Sequence, residues 1–146
     1  MFGIMSTVRH EFAADAREQA TSEKSTQAAI LVVDDEANFV VLLDRVLSKR
    51  GYAVWTALNG EEALRLAKNT GFELAVLDIR MGPMDGLALL SELKRSAPDM
   101  KIIVMTAFPT YETRLTSFRR GASAYVTKPV NLSGLVDTIG RLVKDQ

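Results

Sequence analysis

Asp34, Asp35, Asp78, Thr106 and Lys128 are the side chains whose types and positions could do chemistry together. Carboxylates brought close repel and raise one another's pKa unless a cation sits among them. Magnesium suits such a place: it takes oxygen ligands, keeps several waters, and uses one or two carboxylates beside a backbone carbonyl and substrate phosphate. A lysine adds a compact, mobile positive charge for a phosphoryl group, and a threonine adds a hydroxyl. A carboxylate nucleophile, a metal and a lysine are the parts needed for phosphoryl transfer onto an aspartate, where positioning and charge neutralisation do most of the catalysis. Taken singly, each residue has a plainer reading. An Asp after a strand caps a helix or is solvated, Lys128 is a surface lysine, Thr106 is a cap or exposed, and Tyr125 is a half-buried packing residue. The conjunction carries the weight.

Rare residues exclude other chemistries. The chain has no Cys, hence no disulfide framework, thiolate nucleophile or Cys-ligated zinc. His10 is the only histidine, so one chain cannot assemble a Ser-His-Asp triad or a multi-histidine metal site. No Gly-x-x-x-x-Gly-Lys-Ser/Thr stretch is present, which excludes a P-loop nucleotide hydrolase.

The elements that must position these residues begin at Ala28. Apolar runs at 28–33, 52–57, 73–77, 101–106 and 124–127 read as strands, the first and third stopping at Asp34 and Asp78. Between them lie helical stretches. Residues 37–50 carry Phe39, Leu43, Val46 and Leu47 at helical spacing, with Gly51 as a stop. Asn59 offers an N-cap, with Glu62 three residues later, for a helix to about Lys68. Asp85 and Gly86 open a third helix with Leu87, Leu90 and Leu93 on its face, residues 110–120 form a fourth closed by Gly121, and 131–144 form the last. Five strands alternating with five helices predict an α/β, flavodoxin-like, doubly wound parallel sheet of order 2-1-3-4-5 with right-handed crossovers. Ligands of such sheets bind outside the carboxyl ends of the strands, where Asp34, Asp35, Asp78, Thr106 and Lys128 fall.

The chain of 146 residues, 47% apolar and 25% charged, reads as one domain with a tail. Residues 1–27 are polar and alanine-rich and read as a flexible extension with a short helix around 11–19; the functional alternative is a partner-binding helix anchored by Phe12. The domain is expected over 28–146. Eighteen basic residues balance 18 acidic ones, so no global field for nucleic acid or anionic lipid exists. Apolar runs such as 39–43 are too short to span a bilayer, and with the absence of Cys this fits the cytoplasm.

ILVVDDE at 30–36, LAVLDIRM at 74–81 followed by MDG at 84–86, IIVMTA at 102–107 and GASAYVTKP at 121–129 resemble the receiver domain of two-component response regulators. The resemblance covers about 117 residues, with the motifs in order and correctly spaced. It implies that Asp78 accepts the phosphoryl group and that Asp34, Asp35, Asp78 and the Arg80 backbone carbonyl hold Mg2+. Lys128 would contact the phosphoryl group, Thr106 would be the switch hydroxyl, and Tyr125 the aromatic that reorients with it. Pro129 follows Lys128, commonly after a cis bond in the family. The implied donor is a sensor histidine kinase or histidine phosphotransfer protein. The implied output is an altered face of helix 4, strand 5 and helix 5, read by a downstream protein, an effector domain or a second copy in a homodimer. The chain would then be a phosphoacceptor that assists its own phosphorylation and dephosphorylation rather than an enzyme, with no direct contact to nucleic acid or membrane.

One stretch departs from the family pattern. Proline usually follows the methionine directly, whereas here the order is Met81-Gly82-Pro83-Met84, which alters the loop path beside Arg80. Two rival readings remain at this level. A carboxylate-nucleophile phosphatase needs a second Asp two residues after the nucleophile, where Arg80 stands. A receiver-fold interaction module would work without phosphorylation, yet none of the key positions is degenerate. The side chains two positions beyond Asp78 and Thr106, namely Arg80 and Phe108, flank the approach of water to a phosphoryl group and are expected to slow its loss.

Overall fold

Strands of four to six residues without polar alternation must be covered on both faces, and the helices between them supply the cover. The computed structural model describes residues 27–80 and 85–144. The expected N-terminal extension, apart from Gln27, and the 81–84 loop with its shifted proline lie outside the described residues. Within them the chain runs β1 (Ala29–Val33), α1 (Ala37–Lys49), β2 (Ala53–Ala57), α2 (Gly60–Asn69), β3 (Leu74–Asp78), α3 (Gly86–Ser96), β4 (Lys101–Thr106), α4 (Tyr111–Arg119), β5 (Ala124–Thr127) and α5 (Leu132–Lys144). The five strands are parallel in the order β2-β1-β3-β4-β5, as the sequence predicts.

Successive strand residues point to opposite faces and so divide the core in two. Leu31, Val33, Ala75, Leu77, Ile102 and Val104 face α2 and α3, where Ala63, Leu89, Leu90 and Leu93 are buried. Ile30, Val32, Leu74, Val76, Ile103 and Met105 face α1 and α5, meeting Leu43, Leu47, Leu135 and Ile139. The α1 face differs slightly from expectation. Val40, Leu43 and Leu47 are buried, while Phe39 and Val46 are half-buried. Phe39 sits at the edge of this layer, its ring 5.0 Å from the Lys128 ammonium.

Helix ends follow the sequence signals. The Asn59 side chain accepts from Glu62 N–H at 2.8 Å, and Thr110 caps α4 through Thr113. Gly51 and Gly121 follow α1 and α4 with φ of 95° and 107°, a conformation glycine adopts without the Cβ clash.

Candidate functional site

Register brings the acidic strand ends together. Val33 pairs with Leu77, so Asp34, next along β1, lies beside Asp78 at the end of β3. Burial then separates the members of the Asp pair. Asp34 is 0% exposed, held by its N–H to the Ala57 carbonyl at 3.1 Å and by its Oδ1 accepting from Glu36 N–H at 2.9 Å. Asp35 is exposed, and Asp78 is buried with Oδ1 accepting from Arg80 N–H at 2.9 Å. One oxygen from each of Asp34, Asp35 and Asp78 lies within 4.8 Å of the others.

Lys128 crosses the carboxyl edge of the sheet to reach them. β3 and β4 stand between β1 and β5, and the chain after β5 is held by Lys128 N–H donating to the Thr106 carbonyl at 2.8 Å. The Lys128 Nζ donates to Asp34 Oδ2 at 2.6 Å and to Asp78 Oδ2 at 3.1 Å, and lies 3.7 Å from Glu36 Oε1. The Lys128–Pro129 bond is cis. Burial pushes the Lys128 pKa down, but its hydrogen bonds to Asp34 and Asp78 outweigh that and hold it above its ordinary value, so the ammonium stays charged. Burial, reinforced by the Asp78 charge, raises the Asp34 carboxyl above its ordinary value, against the opposing Lys128 and Glu36 N–H hydrogen bonds.

A donor set of three carboxylates, with one lysine unable to neutralise all of them, fits a hard, oxygen-preferring cation. The set lacks the His and Cys ligands that zinc or copper would draw on. Glu36, Phe39, Ala107 and Lys128 also line a cleft of about 470 Å3 beside the cluster. A larger cavity, about 890 Å3, lies between the ends of α2 and α3, lined by Phe72 and Met100, which precede β3 and β4. It therefore sits at the amino ends of the strands, away from the carboxylates.

The remaining expected residues fall into two groups. Thr106 is 0% exposed, and its Oγ1 accepts from Phe108 N–H at 3.0 Å. Tyr125 is half-buried, its phenol 2.7 Å from Thr113 Oγ1. Arg80 and Phe108 meet each other: the guanidinium carbon lies 4.7 Å from the centre of the Phe108 ring, and Phe108 is 63% exposed. Arg120, which follows α4, donates to the Leu87 carbonyl of α3 at 3.1 Å, while Arg114 lies over Phe118 and Tyr125. Sequence reasoning missed Glu36 and Phe39 as neighbours of Lys128, and Thr113 as the partner of Tyr125. Glu36 stands in the quoted ILVVDDE run and was within reach. Phe39 and Thr113 carry no local signal, because their partners lie on other elements.

The family model described as the response regulator receiver domain matches residues 30–140. Transcriptional regulatory protein ZraR of Salmonella typhimurium is 38% identical over 110 residues, covering 75% of this chain and 25% of that protein. The chain thus spans about a quarter of the length of that relative. A CheY-like receiver domain protein from Methanospirillum hungatei JF-1 has a TM-score of 0.80 at 33% identity, covering 82% of this chain and 95% of the other. The response regulator TrrA of Thermotoga maritima, solved in complex with Mg(2+)-BeF, has a TM-score of 0.72 at 39% identity, covering 80% of this chain and 99% of TrrA. The match runs from β1 into α5, spans the acidic cluster and its lysine, and agrees with the sheet order. The chain belongs to the response regulator receiver domain family of two-component systems.

Proposed function

We propose that Asp78 accepts a phosphoryl group from a phosphohistidine on a sensor histidine kinase or phosphotransfer protein. The observation that carries this reading is the Lys128 ammonium bridging Asp34 and Asp78 at 2.6 and 3.1 Å beside three clustered carboxylates. In the transfer, an Asp78 carboxylate oxygen forms the new P–O bond as the P–N bond breaks, and the departing imidazole nitrogen takes up a proton. Lys128 moves from carboxylate to phosphoryl oxygen over a short distance, since it already touches Asp78. Arg80 N–H holds Asp78 Oδ1, which orients the carboxylate. Asp34, Asp35, Asp78 and the Arg80 carbonyl would hold Mg2+, which when bound neutralises charge building on the phosphoryl oxygens. The Mg(2+)-BeF complex of TrrA supports carrying this site to the present chain.

The signal then passes through Thr106. Its hydroxyl gives up Phe108 N–H for a phosphoryl oxygen, and Tyr125 reorients, altering the α4–β5–α5 face for a downstream protein, an effector domain or a second copy. Residues 28–146 act as the receiver and 1–27 as an extension to it.

The test is mass spectrometry after incubation with Mg2+ and acetyl phosphate or phosphoramidate. One phosphoryl increment is expected in the wild type and none in Asp78→Asn, which keeps the shape but removes the nucleophilic charge. An unchanged increment in Asp78→Asn would remove the assignment. No increment in the wild type would favour an interaction module that works without phosphorylation.

A further inference from the structure

The contact that holds Tyr125 comes from an unexpected place. Thr113 lies at the third position of α4, where its N–H bonds to the Thr110 cap oxygen at 3.0 Å. Its own hydroxyl closes the capping box: Thr110 N–H donates to it at 3.2 Å, and it lies 3.2 Å from the Thr110 carbonyl. The same Oγ1 is 2.7 Å from the Tyr125 phenol, 12 residues away on β5. One hydroxyl therefore serves both the start of a helix and the side chain of a neighbouring strand. Arg114, the next residue, lies with its guanidinium carbon 5.9 Å from the centre of the Tyr125 ring. Two consecutive residues of α4 thus fix the ring at its tip and at its side. Thr110 itself sits four residues beyond Thr106, on the loop that Phe108 N–H ties to the Thr106 hydroxyl.

We propose that Thr113 is the positioning residue that latches Tyr125 in the orientation seen here, and that by sharing its hydroxyl with the capping box it ties that orientation to the first turn of α4. The inference rests on the phosphoacceptor reading above and deepens it by naming what opposes the switch. A bond made only in the resting arrangement stabilises that arrangement, so a ligand that favours the other must work against it. Removing the latch removes that opposition, and by linkage the ligand binds more tightly. A single neutral hydrogen bond, half-buried as this one is, corresponds to about 2- to 10-fold in affinity.

The experiment titrates the full chain with beryllium fluoride in excess Mg2+ and reads affinity by calorimetry. Thr113→Val is expected to bind about 2- to 10-fold more tightly than wild type, and Thr113→Ser, which keeps the hydroxyl, to bind as wild type does. The gain should vanish when Thr113→Val is placed in a Tyr125→Phe background, because the hydrogen bond is already gone. Thr110→Ala weakens the helix cap without removing the phenol's partner, so it should lower the unfolding midpoint and tighten binding by less than Thr113→Val does, through the shared first turn. If the valine variant is too unstable to titrate, Thr113→Ala gives the same comparison with a better helix former. Unchanged or weaker binding by Thr113→Val, or an equal gain in the Tyr125→Phe background, overturns the latch while wild-type binding leaves the phosphoacceptor reading in place. Failure of the wild type to bind beryllium fluoride at all overturns both.

Discussion

At the scale of single residues, chemistry depends on which charges are matched and which approaches are covered. Lys128 is shared between Asp34 and Asp78, so neither carboxylate has a cation to itself, and Asp35 is left to solvent. Arg80 is engaged differently. Its N–H orients Asp78, while its guanidinium stacks on Phe108 rather than on a carboxylate. Both side chains come from loops that leave the carboxyl ends of adjacent strands, β3 and β4. Neither can orient an attacking water as a carboxylate or amide would. We propose that the stacked pair obstructs the in-line approach of water; an added barrier of about 1.4 kcal/mol is tenfold in rate. Phosphorylated wild type should therefore lose its phosphoryl group roughly 10-fold more slowly than the Phe108→Glu, Arg80→Asn double variant, measured as decay after donor removal. Equal decay in the two proteins would show that the pair does not shield the site.

At the scale of elements, the site is held where strands end and helices begin. Gly86, the first residue of α3, shows how tightly. A Cβ there would lie 2.3 Å from Ile79 Cα and 2.6 Å from the Asp78 carbonyl oxygen, and Gly86 N–H already donates to the Ile79 carbonyl at 3.2 Å. The obstacle is backbone, which cannot swing aside as a side chain can. Gly86→Ala should cost about 1–3 kcal/mol in denaturant unfolding and loosen Mg2+ binding, because α3 must shift from the strand end that carries Asp78. Wild-type stability in that variant would mean that the helix start relocates freely.

The same elements show what a sequence can reveal. Apolar runs ending in Asp34 and Asp78 sufficed to place the strands, since runs without polar alternation suit a sheet covered on both faces, and Asn59 and Gly51 marked helix ends by local chemistry. All five candidate residues, Lys128 included, follow from the strand ends, and the family resemblance adds the roles it implies for them. Three facts were not legible. Asp34 and Asp35 look alike in sequence, yet Asp34 is buried, its N–H bonded to Ala57 of β2 and its carboxylate held by Glu36 N–H and Lys128, while Asp35 is exposed. Gly86 reads as a helix opener until the Ile79 backbone is placed against it. Thr113 reads as one of several helix threonines until Tyr125 arrives from β5. Each depends on a partner brought in by tertiary packing, for which no local pattern exists.

At the scale of the whole molecule, the cluster is a local cost set against the two-sided core. The chain carries no net charge, and among the described residues no helix is long and apolar enough to cross a membrane. Its unfavourable charge is concentrated at one end of the sheet, where Asp34 is fully buried. Burial, with the Asp78 charge adding to it, raises the folded-state pKa of Asp34 above its ordinary 3.8 despite the Lys128 and Glu36 hydrogen bonds. A group shifted in that direction contributes stability that is fully present below pH 3.8 and is lost as pH rises through the raised folded value. Lys128 follows the same rule at the far end of the scale: its contribution is complete below its ordinary 10.5 and is lost only above that. Above its raised folded value the metal-free protein carries an ionised, buried Asp34. Asp34→Asn keeps the acceptor for Glu36 N–H and leaves Lys128 its Asp78 partner, while removing the charge that burial disfavours. In chelator-treated protein, Asp34→Asn should unfold at higher denaturant than wild type at neutral pH. The gap should narrow as pH falls through the raised folded value and close below 3.8, where wild-type Asp34 is protonated in both states. A wild type that is the more stable protein at neutral pH without metal would mean that the Lys128 ion pair outweighs the burial of Asp34, and that the charge at the strand ends holds the fold together rather than straining it.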